Sequence, residues 1–278
     1  MNVLSLFDGM SCGQIALERA GIKVENYFAS EIDKYAMTVT KHNYPNTKHI
    51  GDVTKVKGAD LPRIDLLIGG SPCQGFSFAG KQLNFNDPRS KLFFEFARIL
   101  KETKPKYFLL ENVRMKKEFV EVINKHLGVE SICINSSSMS AQNRVRHYWT
   151  NIPNVTVPDD ENIFLDDIID HTYKDYRIPK NWHLRVPDNR PLYCDPYNKK
   201  GISDKSTALR TNVNNGNMWV RVDGGYRNLT VREAELLQTV PVGFTNIISE
   251  SQAKKCLGNG WTVDVIAHVF RGLLNENL

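Results

Sequence analysis

Residues 65–77 read Asp-Leu-Leu-Ile-Gly-Gly-Ser-Pro-Cys-Gln-Gly-Phe-Ser, an apolar run that passes directly into a loop rich in glycine, serine and proline. The run from Ile64 to Ile68 has the length and composition of a buried strand. When a strand of an open α/β sheet ends in such a loop, the loop lies at the sheet edge where ligands usually bind. Cys73 is therefore a candidate nucleophile, and the alternative is a buried cysteine that packs as a small apolar side chain.

Short apolar strands alternate with amphipathic helices on both sides of this stretch, which is typical of parallel sheets covered by helices on both faces. The pattern predicts an α/β fold with a doubly wound, mainly parallel sheet. The predicted strands are residues 3–7, 27–30, 48–50, 64–68 and 107–110, and the predicted helices are residues 14–20, 33–42 and 92–100.

After Tyr148-Trp149-Thr150 the sequence becomes rich in Pro, Asn, Asp and Lys, and residues 153–226 are expected to form a separate, loop-rich region. Helical periodicity returns at 230–238 and 263–274, and the apolar face of the last helix is expected to pack on the N-terminal sheet. We therefore predict a catalytic and cofactor-binding domain of residues 1–152 plus 253–278. A small domain of residues 153–252 completes the chain.

The composition is that of an ordinary globular protein of 278 residues with a formal net charge of +5. This mild positive charge suits a polyanionic partner but is also common without one. The five cysteines are widely separated and form no Cys-x-x-Cys pair, so a reduced, metal-free cytoplasmic protein is expected. No apolar run approaches the ~18 residues of a membrane span, and the chain enters a strand pattern without a signal peptide.

The loop Phe7-Asp8-Gly9-Met10-Ser11-Cys12-Gly13 follows the first predicted strand, which is the nucleotide-binding position of a doubly wound fold. It lacks the complete Gly-x-Gly-x-x-Gly of pyrophosphate-binding loops, which argues against an NAD-dependent oxidoreductase. A ligand with an adenosine and no phosphates, such as S-adenosylmethionine, would fit the looser turn. A tight structural turn is the alternative.

Acidic residues follow three of the predicted strands. Glu31 is placed to accept hydrogen bonds from ribose hydroxyls, Asp52 to face an adenine amino group, and Glu111 to lie at the same sheet edge as Cys73. Each could instead be a helix cap or a solvated charge. In Gln142-Asn143-Arg144-Val145-Arg146, two arginines at a spacing of two are expected to project from one face of a strand toward a phosphate and a base carbonyl, or simply toward solvent.

Together these motifs resemble, in order, those of the DNA cytosine-5 methyltransferases. They are Phe7-Asp8-Gly9, Glu31-Ile32-Asp33, Gly51-Asp52-Val53, Pro72-Cys73-Gln74, Asp87-Pro88-Arg89 with Leu92-Phe93-Phe94-Glu95, Glu111-Asn112-Val113, Gln142-x-Arg144-x-Arg146, Arg227-Asn228-Leu229-Thr230-x-x-Glu233 with Leu237-Gln238, and Gly258-Asn259-Gly260-Trp261-Thr262-Val263. The resemblance leaves out only residues 151–226. The chain is most similar to compact bacterial or phage enzymes, with some likeness to the de novo branch.

The resemblance implies the class I S-adenosylmethionine-dependent methyltransferase fold with a small target recognition domain. It implies methylation of C5 of a flipped cytosine in double-stranded DNA, with S-adenosylhomocysteine as the product and no metal. The catalytic residues would be Cys73, Glu111, Arg144 and Arg146, and a mobile loop from Gln74 to Arg89 would close over the base. The cofactor-binding residues would be Phe7, Asp8, Gly9, Met10, Ser11, Gly13, Glu31, Ile32, Asp52, Val53, Pro72, Asn259 and Trp261.

The recognition segment is short, and the amide-rich stretch Thr211 to Trp219 is a candidate for reading base edges, with Lys199, Lys200, Arg210 and Arg221 as candidate phosphate contacts. Asn215-Gly216 is equally consistent with a hairpin turn.

Two rival functions are disfavoured. A tRNA methyltransferase of the same fold is disfavoured because no Cys-Phe-Thr signature occurs. An inactive DNA-binding homologue is disfavoured because the nucleophile and the cofactor loop are intact. A monomer in the bacterial cytoplasm, with a cognate restriction endonuclease, would be the expected setting.

Overall fold

The computed structural model describes residues 1–72, 91–173, 192–195, 200–202, 204–211, 218–222 and 225–274. Cys73, the predicted loop 74–89, Lys199 and the Asn215-Gly216 turn lie outside the described residues. The elements are β1 (Asn2–Leu6), α1 (Cys12–Arg19), β2 (Asn26–Ser30), α2 (Lys34–Asn43), β3 (Lys48–His49), β4 (Leu66–Gly70), α3 (Lys91–Thr103), β5 (Tyr107–Val113), α4 (Lys117–Leu127), β6 (Ser131–Asn135), β7 (Gln142–Asn143), β8 (Val145–Thr150), β9 (Tyr193–Asp195), β10 (Lys200–Ile202), β11 (Ser206–Thr207), β12 (Trp219–Val222), β13 (Gly225–Asn228), α5 (Val231–Leu237), α6 (Glu250–Asn259) and α7 (Val263–Arg271).

Within the described residues, seven strands form one sheet in the order β3-β2-β1-β4-β5-β8-β6. The pairs β2–β3, β1–β2, β1–β4 and β4–β5 are parallel, whereas β8 runs antiparallel to β5. The chain begins in the middle of the sheet, builds outward to β3, and then returns to build the other half from β4. This doubly wound, mainly parallel order confirms the predicted fold class.

The central strands are buried along nearly their whole length because helices cover a parallel sheet on both faces. Leu4, Leu67 and Leu110 on three adjacent strands have no solvent exposure. Phe93 and Phe96 on α3 belong to the same buried cluster. A side chain at Gly69 would begin 2.9 Å from the Leu6 carbonyl oxygen and 3.1 Å from the Phe96 ring, so this glycine permits the close approach of β1, β4 and α3.

The chain divides into two compact units. The first contains residues 1–134, 145–157 and 265–278, and the second contains residues 135–144 and 158–264. Compared with the predicted domains, the second unit also takes residues 135–144 and 253–264, which include most of α6, whereas residues 153–157 belong to the first unit. Local bonds account for this, since β7 pairs with β11 and the Gln238 side chain donates to the Leu257 carbonyl oxygen on α6 at 2.6 Å. The functional division between the domains stays a prediction.

The second unit contains more regular structure than its loop-rich sequence suggests. Within its described residues, β10, β9, β12 and β13 form a four-stranded sheet, and the pairs β9–β10, β9–β12 and β12–β13 are antiparallel. Cys194, Trp219 and Tyr226 form a small buried cluster on it. No helix in the part of the chain that the structure describes is long and apolar enough to cross a bilayer.

One strand prediction is wrong. Arg144 and Arg146 were expected to project from one face of a single strand, but Arg144 lies between β7 and β8, which belong to different sheets. The backbone leaves one ladder and enters another at this residue, so the alternation of side chains across a strand does not continue through it. The two guanidinium groups consequently have different surroundings.

Candidate active site

The order of the sheet reverses direction between two neighbouring strands, β1 and β4. From β1 the chain turns toward β2, whereas the half that begins with β4 builds in the opposite direction, so the connections after β1 and β4 diverge. Such a switch point is where open α/β sheets bind ligands. The loop Phe7 to Ser11 follows β1, and Ser71-Pro72 follows β4 and leads to Cys73. Both predicted motifs therefore begin at the same edge of the sheet.

The loop after β1 has an unusual backbone. Phe7, Gly9 and Ser11 all adopt positive φ, at 57°, 61° and 62° respectively. Positive φ suits glycine but is uncommon for phenylalanine and serine, and residues held in this way often occur at binding sites. Met10 and Gly13, the other predicted cofactor residues here, are buried. The loop thus contains a hydrogen-bonded turn, in which the Ser11 amide donates to the Asp8 carbonyl oxygen at 3.2 Å, together with three left-handed residues.

Side-chain bonds to Asp8 hold this shape. Its Oδ1 accepts a hydrogen bond from the Tyr27 hydroxyl at 2.7 Å, and its Oδ2 accepts a short one from the Ser11 hydroxyl. The Ser11 oxygen also lies 3.1 Å from the Thr40 hydroxyl on α2. Burial raises the pKa of Asp8 to about 6, although its hydroxyl donors oppose the shift. Tyr27 and Thr40 were not identified from the sequence, since a contact between different strands and helices leaves no local pattern.

Glu31 links the ends of β1 and β2. Its Oε2 accepts the Gly9 amide hydrogen, and its Oε1 accepts those of Ile32 and Asp33, each at 2.7 Å. These bonds use three of about four acceptor positions of the carboxylate and leave one on Oε2. Glu31, the predicted ribose ligand, therefore also holds the loop after β1 in place.

Asp52 and Ile32 present free surface at the same edge. Ile32 is 75% exposed, which is unusual for an isoleucine beside a binding loop. Asp52 accepts bonds from the backbone amide and the hydroxyl of Thr54, both at 2.9 Å and both through Oδ1. The amide bond and then the hydroxyl bond hold the pKa of Asp52 below its usual value, so the group is ionised at neutral pH. Neighbouring Val53 is buried in the core.

Glu111 and Arg146 come together at the end of β5. The Arg146 Nε lies 2.9 Å from Oε1 of Glu111, as an ion pair without the alignment of a hydrogen bond. Both side chains are largely shielded, with 15% and 11% of their surface exposed. On β8 Arg146 pairs with Val113, so its side chain and that of Glu111 lie on one face of the sheet. The sequence predicted both residues for the site but did not predict that they pair.

Asn112, the neighbour of Glu111, was not assigned a role from the sequence. Its side chain hydrogen-bonds Ser71, which is buried at the first position after β4. Pro72 follows and is half-buried. The contact joins the strand that carries the candidate acid to the segment that leads to the candidate nucleophile.

Arg144, Asn259 and Trp261 belong to the second unit. The buried guanidinium of Arg144 donates to the carbonyl oxygens of Leu209 at 3.0 Å, Gly258 at 3.3 Å and Gly260 at 2.9 Å. It therefore holds the turn that presents Asn259, which is exposed, and leads to Trp261, which is half-buried. A direct contact of Arg144 with DNA stays a prediction. Among the described residues, no cluster of three or more His, Cys, Asp or Glu side chains could hold a metal ion.

Comparison with known proteins gives a consistent result. The family described as C-5 cytosine-specific DNA methylase matches residues 1–154 and 130–275. The chain is 31% identical to the Type II methyltransferase M1.ScrFI of Lactococcus lactis subsp. cremoris, over 98% of this chain and 77% of the relative. It is also 31% identical to the Type II methyltransferase M.HaeII of Haemophilus aegyptius, over 98% of this chain and 92% of the relative. The S. pombe Dnmt2 methyltransferase has the same fold, with a TM-score of 0.76 over the whole of both chains at 18% identity.

Proposed function

The chain belongs to the C-5 cytosine-specific DNA methylase family, and from this premise we propose which of its residues carry the reaction. The enzyme transfers a methyl group from S-adenosylmethionine to C5 of cytosine in DNA. The observation that best supports our assignment is the Glu111–Arg146 pair at the end of β5, beside the strand end that leads to Cys73.

Cys73 acts as the nucleophile. Its thiolate adds to C6 of a flipped cytosine while Glu111 donates a proton to N3 and accepts a hydrogen bond from the exocyclic amine, so that C5 gains enamine character. The proton returns from N3 to Glu111 when the product forms. The bound cofactor supplies an electrophilic methyl group. A base then removes the C5 proton, and the Cys73 thiolate leaves as the C5–C6 double bond forms again. Arg146 orients Glu111 and neutralises its charge next to the base.

The loops at the switch point bind the cofactor. Glu31 uses its remaining acceptor position for the ribose, and the ionised Asp52 accepts a hydrogen bond from the adenine amine. Ile32, after β2, and Phe7, after β1, pack on the adenine ring. The strained backbone from Phe7 to Ser11 approaches the methionine end. An adenosine without phosphates requires apolar groups against its adenine ring and hydrogen-bond acceptors for its amine and ribose hydroxyls, and these loops carry both kinds of group. Asn259 and Trp261, in the second unit, stay proposed cofactor-binding residues.

Double-stranded DNA is the substrate, and the target base must leave the stack to reach Cys73. Residues 153–252 then read the sequence, with Arg210 and Arg221 as candidate phosphate contacts. We also propose that Arg144 contacts DNA while it keeps its hydrogen bonds with three backbone carbonyl oxygens. We further propose that the enzyme acts as a metal-free monomer in the bacterial cytoplasm. Its gene would belong to a bacterium or to a phage. A cognate restriction endonuclease would complete the system.

The test is transfer of radiolabelled methyl groups to DNA by wild type, Cys73→Ser and Cys133→Ser. Cys133 is an exposed cysteine on β6 and serves as the matched control. Wild type and Cys133→Ser should label DNA, and Cys73→Ser should not. Equal labelling by wild type and Cys73→Ser, or none by wild type, contradicts the proposal. Bisulfite sequencing of DNA from cells that express the protein identifies the methylated base and its sequence context together.

A further inference from the structure

We propose that Asn112 is a positioning residue of the methyl transfer. Its side-chain amide fixes Ser71, two residues before Cys73, and so sets where the nucleophile segment leaves the sheet relative to Glu111. The inference rests on the roles proposed for Cys73 and Glu111.

The contact is specific in geometry and orientation. The Asn112 Nδ2 donates to Oγ of Ser71 at 3.0 Å and to its carbonyl oxygen at 3.3 Å. Its own Oδ1 accepts the Val113 amide hydrogen at 2.8 Å, which requires the NH2 group to face Ser71. Asn112 is 1% exposed and Ser71 is 4% exposed. Buried bonds of this kind are not readily replaced by water.

The position of Ser71 in the chain explains why the bond matters. Strand β4 pairs with β5 as far as Gly70, which lies opposite Glu111, and there the ladder ends. A buried carbonyl beyond the last ladder bond needs another donor. Asn112 supplies it from the adjacent strand, so the path of the chain toward Pro72 and Cys73 is fixed at its first step outside the sheet.

Asn112 does this without using the face that carries the catalytic pair. Successive side chains of a strand point to opposite faces, so Asn112 points away from the face occupied by Glu111 and Arg146. Ser71 is therefore held from the face opposite to the one that carries Glu111 and Arg146. Covalent catalysis depends on such placement, and an error of about 1 Å costs roughly 100-fold in rate.

The test compares Asn112→Asp with Asn151→Asp. The aspartate keeps the size of Asn112 but has no NH2 group to donate to Ser71. Asn151 is the matched control, since its side chain bonds the Phe108 amide and the Lys106 carbonyl at the other end of β5, at 2.8 and 2.9 Å. We expect Asn112→Asp to lower kcat about 100-fold with the KM for S-adenosylmethionine within about twofold, and Asn151→Asp to keep the wild-type kcat.

Two further measurements keep the inference separable from protein folding and from the proposed function. Ser71→Ala removes only the 3.0 Å bond and should lower kcat by less than Asn112→Asp does. It therefore tests the contact in a second variant if Asn112→Asp folds poorly. The pH profile of Cys73 alkylation by iodoacetamide, read by peptide mass spectrometry, should change in Asn112→Asp and also in the uncharged variant Ser71→Ala, but not in Asn151→Asp. An unchanged profile, or kcat losses equal in Asn112→Asp and Asn151→Asp, overturns the inference. A changed profile in a protein that never methylates DNA would refute the function alone.

Discussion

Asp8 connects the stability of the protein to pH through one carboxyl group. Burial raises the pKa of Asp8 to about 6 in the folded state, from 3.8 in an unperturbed side chain. The folded state therefore binds this proton more tightly than the unfolded state does. The resulting contribution to stability is complete below pH ~4 and is lost as pH rises to ~6.

Replacing Asp8 by Asn removes this titration. We expect Asp8→Asn to gain stability relative to wild type as pH rises from ~4 to above 6, by up to about 3 kcal/mol in the free energy of unfolding. Urea denaturation at several pH values measures the difference. Asp52→Asn is the control, because the pKa of Asp52 is lowered and its trend has the opposite sign. Parallel curves for wild type and Asp8→Asn would contradict the prediction.

At the scale of elements, a buried ion pair organises the start of α5. The Glu233 carboxylate accepts from Arg227 at 2.6 and 2.8 Å, from the Thr230 amide at 2.8 Å and from the Asp170 amide at 2.9 Å. Neither charged side chain is exposed. Thr230 completes a capping box by accepting the Glu233 amide hydrogen at 3.2 Å. The Glu233 carboxylate thus joins strand β13, the start of helix α5 and the backbone at Asp170.

Glu233→Gln should cost about 3–5 kcal/mol in the free energy of unfolding, because it leaves the buried Arg227 charge without its partner. Thr230→Ala removes only the cap and should cost about 1 kcal/mol. Equilibrium denaturation of both variants tests the ranking. A smaller loss for Glu233→Gln than for Thr230→Ala would show that the ion pair does not organise this helix.

At the scale of the whole molecule, ligand binding at the switch point should stabilise the fold. A ligand that binds only the folded state adds about 2.7 kcal/mol when present at 100 times its Kd. S-adenosylhomocysteine should therefore raise the denaturation midpoint of the wild type. At the same ligand concentration Glu31→Gln should show a smaller rise, because Glu31 holds the Gly9 loop and is the proposed ribose ligand. Glu18→Gln, on the exposed side of α1, should behave as wild type, and equal rises in both variants would contradict the assignment of Glu31.

Sequence periodicity predicted most of the first unit because its elements obey simple patterns. Strands β1, β2, β4 and β5 are short apolar runs, and their predicted positions agree with the structure within a few residues. Helices α4 and α6 and strand β6 were not predicted. In α4 the buried residues Phe119, Ile123 and Leu127 do follow a helical spacing, which could have revealed it. The small sheet of the second unit has strands of three or four residues, too short to show a period.

The sequence by itself determined the fold class, the order of the motifs and the chemical type of each candidate residue, because these depend on local apolar patterns and on residue identity. Only the tertiary structure decided which of these residues meet: that Glu111 pairs with Arg146, that Glu31 holds the Gly9 loop, that Asn112 fixes Ser71, and that Arg144 bonds backbone carbonyls. Such contacts join residues that are distant in the chain or lie on different strands. They follow from the register of the strands and the path of the backbone between them, which no local pattern encodes.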